Sequence, residues 1–320
     1  MSWQHHARFS LLRPCNRMAE PILPPELERE IFETVALAGT KSIPGLLRVA
    51  RRVKLWIEPL LYHVVILRNH SRHKLHESYP GQKLFDKTGH TLLPPIALAG
   101  AIQRLPSESS FFHSHVRHLF IDCSAYKGSA TLDLRRTNML DACSGATNVM
   151  LVDICDPRPL LSGLSQMPLE HLQANLGSLF GNGLHPGPVD FTHPLFRSIT
   201  HLAIFDNLDK AVTDWTGLAL LPHLTHLSFH EDDPNPLFPA VLGACMRLRV
   251  LVILLGPYAG YDLSDDGAFA PLLRDERVVV VYDHKTYDGE NDWHLGARGS
   301  DDYWRRAEKM VGERRLAGGT

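Results

Sequence analysis

The stretch that decides the fold is ITHLAI at residues 199–204, which returns as LTHLSF at 224–229. In both, apolar residues hold the first, fourth and sixth positions. The last two alternate as in a strand with one buried face. Working outward, the same spacing recurs in VRHLFI at 116, ATNVML at 146, LEHLQA at 169 and LRVLVI at 248. Successive starts lie 30, 23, 30, 25 and 24 residues apart, and a degenerate unit, ERVVVV, follows at 276. Segments of helical character lie between strands, such as LFPAVLGAC at 237–245 and DGAFAPLLRD at 266–275. No such unit can cover its own apolar face, so neighbours must stack and share one core.

One strand and one helical piece every 23–30 residues predict an α/β fold. Its main part, residues 92–300, is an irregular leucine-rich-repeat solenoid with parallel strands and helices on the outer side. Of the asparagines that usually follow such strands, only Asn207 is in place. The residues between the apolar positions are expected on the open, concave side. One row across the strands reads His118, Asn148, His171, His201, His226 and Val250. A second reads Phe120, Met150, Gln173, Ala203 and Ser228, and a third Asp122, Val152, Asn175, Phe205 and His230. Neighbouring strands are about 4.8 Å apart, so His171, His201 and His226 should form a ladder. This mixed surface suits a protein better than a polyanion. The expected substrate-binding residues are His118, Phe120, Asn148, Met150, His171, Gln173, His201, Phe205, His226 and His230. The competing reading is that Thr-His-Leu is a tolerated strand filler. If the ladder does bind a partner, binding should weaken below about pH 6.5, because stacked imidazoles resist charging together.

At the other end stands LPPELEREIF, residues 23–32. Pro24 and Pro25 suit a first helical turn, the pattern runs to Ala38, and Gly39 is a natural stop. Ser42 is positioned to cap a second helix carrying Leu46, Leu47 and Val49. Val53, Trp56, Ile57, Leu60 and Leu61 mark a third, with a kink or break expected at Pro59. Three helices this short are marginal alone and need a further surface. Residues 20–66 are read as this helical module and 67–91 as a polar loop or linker. A helix follows at Ile96, Ala99, Ile102 and Leu105. Residues 301–320 read as a helix with Trp304, Ala307 and Val311 on one face, capping the solenoid's open end. A partner-binding helix is the alternative.

Residues 23–62, in the words LPPELEREIFE and IPGLLRVARRVKLWIEPLLY, resemble an F-box of the type common in mushroom-forming fungi. The resemblance implies a module that docks on a Skp-type adaptor and, through it, on a cullin–RING ubiquitin ligase. The repeat domain would then hold a substrate protein. Leu23, Pro24, Leu27, Ile31 and Phe32 match the family's first block, and Leu46, Leu47, Val49 and Ala50 its second. The family's tryptophan position holds Val53, with Trp56 one turn later. The implied adaptor-binding set is Leu23, Pro24, Leu27, Ile31, Phe32, Leu46, Leu47, Val49, Val53 and Trp56. A repeat scaffold without a ligase role is the alternative.

The totals fit this picture. The 320 residues are 44% apolar with a formal charge of −2, so no strong field points to nucleic acid or membrane. Five separated cysteines, none in a CxxC pair, suggest a reducing compartment, cytoplasmic or nuclear. The longest apolar run, Val250–Leu255, is far too short to span a bilayer. Residues 1–19 carry three arginines and no acid but no sustained apolar face, and read as a disordered leader. No phosphate-cradling loop or nucleophile elbow occurs. His70, His73 and His76, and also His113, His115 and His118, invite a zinc reading. No cysteine or carboxylate sits at fitting spacing in both sets, so no metal is expected. No constellation of convergent acid and base is visible, so no cofactor or catalytic residue is expected.

Overall fold

The computed structural model describes residues 23–38, 42–67, 109–122, 139–154, 157–182, 185–208, 213–231, 234–255, 268–282 and 289–318. Three helices come first: α1 (Pro25–Ala38), α2 (Ile43–Leu46) and α3 (Arg51–Tyr62). Ala36, Ile43, Val53 and Ile57 form their shared core. Arg52 pairs with Glu28 at 2.7 Å and ties α3 to α1. Helix α3 passes Pro59 without a break. Ser42 does not cap α2; its hydroxyl donates instead to the Val35 carbonyl of α1 at 3.4 Å.

Eight parallel strands then form one open sheet in chain order. They are β1 (Val64–Leu67), β2 (His118–Asp122), β3 (Asn148–Val152), β4 (His171–Ala174), β5 (His201–Ile204), β6 (His226–His230), β7 (Val250–Leu255) and β8 (Val278–Tyr282). Order without crossover is what stacked units must give, since each strand pairs with the next unit's strand. The result is a solenoid-like α/β array.

Strand β1 is unannounced by the repeat spacing. Only His63 separates it from α3, and it pairs with β2 through Val64–His118 and Leu67–Ile121. The sheet therefore begins at residue 64, inside the segment assigned to the helical module. The polar stretch 68–91 falls between two paired strands rather than ahead of the array. That stretch and the helix expected at 96–105 lie outside the described residues. At the far end Val278 pairs with Leu251, so the last unit starts one residue earlier than ERVVVV suggests. A one-residue slip exchanges the two faces of a strand. Val278 consequently joins the main core and Val279 the opposite layer.

That main core lies on the helical side. Leu119, Val149, Leu172, Leu202, Leu227 and Leu251 are fully buried against the intervening pieces. These pieces are α4 (Ser109–His115), α5 (Met139–Ala142), α6 (Pro157–Leu164), α7 (Leu176–Phe180), α8 (Leu237–Ala244) and α9 (Ala270–Leu273). Two 3-10 turns, Pro194–Phe196 and Trp215–Leu220, stand where other units have helices. Asp206, just after β5, accepts from the backbone N–H groups of Leu176 (2.6 Å) and Gly177 (2.7 Å), fastening α7 to the next unit. A Cβ at 177 would stand 2.6 Å from the Asp206 carboxylate, so glycine there lets that side chain reach its two donors.

The last two helices, α10 (Gly289–Ala297) and α11 (Tyr303–Gly318), lie on the other face. The helix expected to close the end of the solenoid thus lies across the supposedly open side. Its predicted apolar face is right, since Trp304, Ala307 and Val311 are all buried. Asp302 caps it, accepting from the Arg305 N–H at 2.9 Å.

Candidate functional site

Two surfaces carry the residues singled out from the sequence. The first is the outside of the helical module. Leu23, Pro24, Leu27, Ile31 and Val49 are exposed, with Leu27 and Ile31 each about half accessible. Val35 and Leu37 continue the exposed apolar surface along α1, and Leu55 adds to it from α3. Phe32, Leu46, Leu47 and Trp56 are half-buried and pack inward on the module's core. Val53 is fully buried within it and offers no contact to another protein. Its place follows from helical geometry, because Val53 and Ile57 are one turn apart on the face turned toward α1 and α2. The module thus closes its own small core and still leaves one apolar flank of α1 in water.

The second surface is the sheet face beneath α10 and α11. The expected ladder is present. His171 and His201 stack with ring centroids 4.0 Å apart and 9° between planes, and His201 and His226 at 4.0 Å and 4°. The register pairs these residues directly. The threonine preceding each of the last two rings holds it in place. Thr200 Oγ1 lies 2.9 Å from His201 Nδ1, and Thr225 Oγ1 lies 2.8 Å from His226 Nδ1. Repetition of Thr-His-Leu therefore has a local reason: each hydroxyl orients its neighbour's ring.

The face is not open. Phe120 and Met150 are buried under Trp293 and Ala297 of α10, and Asn148 accepts a 2.9 Å bond from Trp293 Nε1. His226 is 2% exposed and Ser228 1%. Trp304 of α11 meets His201 and His226 edge-on at 5.4 and 5.9 Å. Tyr303 Oη bonds Ser228 Oγ at 3.1 Å, and Glu308 Oε1 lies 3.0 Å from His226 Nε2. A carboxylate only accepts, so His226 donates through Nε2 and takes the Thr225 hydroxyl at Nδ1. Phe205 and His230, a T-shaped pair at 5.6 Å, and His171 are half-buried. The expected solvent-facing substrate surface is thus occupied by the chain itself. The physical cause is legible in β7: a strand of six apolar residues buried throughout needs cover on both faces.

Burial controls the charge of the ladder. It pushes His171 down to about 4, with the nearby His226 adding to the effect. His201 falls to about 2, from burial and then from its two stacked neighbours. His118 falls to about 3, from burial and then from His63 and His171. His226 is also lowered by burial, against the opposing pull of Glu308. At neutral pH the row is therefore uncharged. Two atoms of this layer, Gln173 Oε1 and His118 Nδ1, have no hydrogen-bond partner among the described residues.

The zinc readings find no convergence here. His113 bonds Ser144 at 3.0 Å and His115 its own helix at the Phe111 carbonyl, 2.8 Å, while His118 lies in the sheet. His70, His73 and His76 fall outside the described residues. Among the described residues, no group of three or more side chains is placed to hold a metal, and no helix is long and apolar enough to cross a membrane.

What the sequence did not reveal is the covering pair and its anchors, Trp293, Tyr303, Trp304 and Glu308. Trp304 was visible as one of an apolar trio, but its target was not. No known family model matches the chain, and no curated protein matches it at a significant level.

Proposed function

We propose that this chain is a non-catalytic substrate receptor of a Skp-cullin-F-box ubiquitin ligase. In this reading the helical module binds a Skp-type adaptor and the leucine-rich-repeat part holds a substrate protein. The observation that carries it is the bare flank of α1. Leu27, Ile31 and Val35 succeed one another at single-turn spacing and stay exposed, although the module's own core is complete. This flank lies within the words that resemble an F-box. Burying Leu27 and Ile31 against a partner would contribute about 1.5–3 kcal/mol each.

The test is copurification of the full chain with a Skp-type adaptor. Leu27→Asp with Ile31→Asp should abolish the complex while circular dichroism stays unchanged, since neither side chain supports the fold. Full-yield copurification of the double variant would refute the adaptor site. The departure at Val53, buried where the family has its tryptophan, favours a second reading: a repeat scaffold with no ligase role. Failure of the parent chain to bind any adaptor would support that one.

A further inference from the structure

We propose that the α10–α11 hairpin is a displaceable occupant of the partner-binding face, which it yields to an amphipathic helix of a partner protein. The inference rests on the reading that the repeat array holds a protein partner. The hairpin is internally fastened, so it can leave as one piece. Asp292 of α10 accepts from the Tyr303 N–H at 2.6 Å and from Arg306 at 2.8 Å. Its contacts with the sheet form two apolar clusters, one per helix, both separate from the main core.

The surface under it is unlike a permanent core. Beneath α11, β7 offers Val250, Val252 and Leu254, but β6 offers His226 and Ser228, and β4, on the far side of β5, carries His171 and Gln173. Each of these polar groups must keep a partner when buried. The hairpin satisfies His226 with Glu308 and Ser228 with Tyr303, but not Gln173 Oε1 or His118 Nδ1. An occupant that leaves buried polar atoms unpaired is an imperfect fit. A partner helix that brings an aromatic pair, a donor for Gln173 Oε1 and a hydrogen-bonding group for His118 Nδ1 would fit better. The present occupant also shows the chemistry required. It buries Tyr303, Trp304, Ala307 and Val311 while keeping Arg305, Lys309 and Arg315 in water.

The test is native-state hydrogen exchange on the full chain, parent against Tyr303→Phe with Glu308→Ala. Both substitutions remove clasping hydrogen bonds and leave the apolar contacts. Amides of α10 and α11 should exchange together and ahead of β4–β7. In the double variant they should exchange about tenfold faster, while protection of the sheet stays unchanged. A labelled synthetic peptide of residues 289–318 should then bind the double variant more tightly than the parent. Hairpin exchange only in step with β4–β7, in parent and variant alike, would overturn the proposal and make the hairpin a fixed layer. Failure of the peptide to bind either protein would equally overturn it. Neither outcome touches adaptor binding through α1, so the two readings fail separately.

Discussion

Acidification should unfold this protein from the sheet face outward, and the size of the effect follows from the ladder. His118, His171 and His201 hold folded pKa values of about 3, 4 and 2. In the unfolded chain they return to about 6.5. Between these limits the unfolded state binds more protons, so stability is complete above about pH 6.5 and falls as the pH drops. Each such group removes about 1.4 kcal/mol per pH unit. From pH 6.5 to 5.0 that is about 2 kcal/mol per residue and about 6 kcal/mol for the three together. His226, also lowered, adds in the same direction. A domain with about 5–15 kcal/mol in hand would be close to unfolding at pH 5. Asp206 and Asp302, both raised by burial, act in the opposite sense, since proton uptake there favours the fold. Comparison with a ladder variant cancels them. Denaturant titrations of parent and of His171→Gln, His201→Gln, His226→Gln, followed by tryptophan fluorescence from pH 7.5 to 5.0, make the check. The parent should lose stability steeply below pH 6.5, and the triple variant should keep only the shallower slope left by His118 and His63, both lowered by burial. Equal slopes in the two proteins, or a flat parent, would refute the account of a neutral, buried ladder.

Other outcomes follow from single contacts. Ile57→Ala should cost about 2–5 kcal/mol, seen in thermal melts, by opening a cavity in the small core it shares with Val53. Asp206→Ala should cost about 2–6 kcal/mol, because the Leu176 and Gly177 N–H groups each lose a buried acceptor at about 1–3 kcal/mol. The loss should appear as a lower denaturation midpoint and faster exchange at those two amides. Gly177→Ala should disturb the same contact by pushing the carboxylate away, whereas Gly243→Ala, in a helix and with open space at its Cβ, should raise stability by up to about 1 kcal/mol. Purified chain mixed with only the ubiquitin-activating and conjugating enzymes should transfer no ubiquitin; transfer in that mixture would refute the non-catalytic reading.

Much of this architecture was legible in the linear chain because its signals are local. Alternation along ITHLAI and LTHLSF sorts side chains to two faces, whatever the rest of the chain does. The repeat spacing then stacks like residues, and the His171, His201 and His226 ladder emerges from strand separation alone. The three N-terminal helices were equally local, the first two marked by prolines at the start and all three by turn-spaced apolar residues. Strand β1 escaped because Tyr62, which stands at its leading apolar position, also closes the third helix, and VVIL at 64–67 follows that helix without a turn signal. The last strand was misread by one residue because its four consecutive valines, Val278–Val281, define no alternation.

What no local pattern decides is which surface covers another across a hundred residues of chain. Trp293 meets Asn148, and Tyr303 meets Ser228, at separations of 145 and 75 residues. The sequence by itself determined two faces, one row of stacked imidazoles and an exposed flank on α1. Only the tertiary structure decided that the second face is covered and that Val53 points inward. The reason is that burial belongs to the pair of surfaces in contact. The unbroken apolar run of β7 states that cover is needed on both sides, but it carries no information about which segment supplies it.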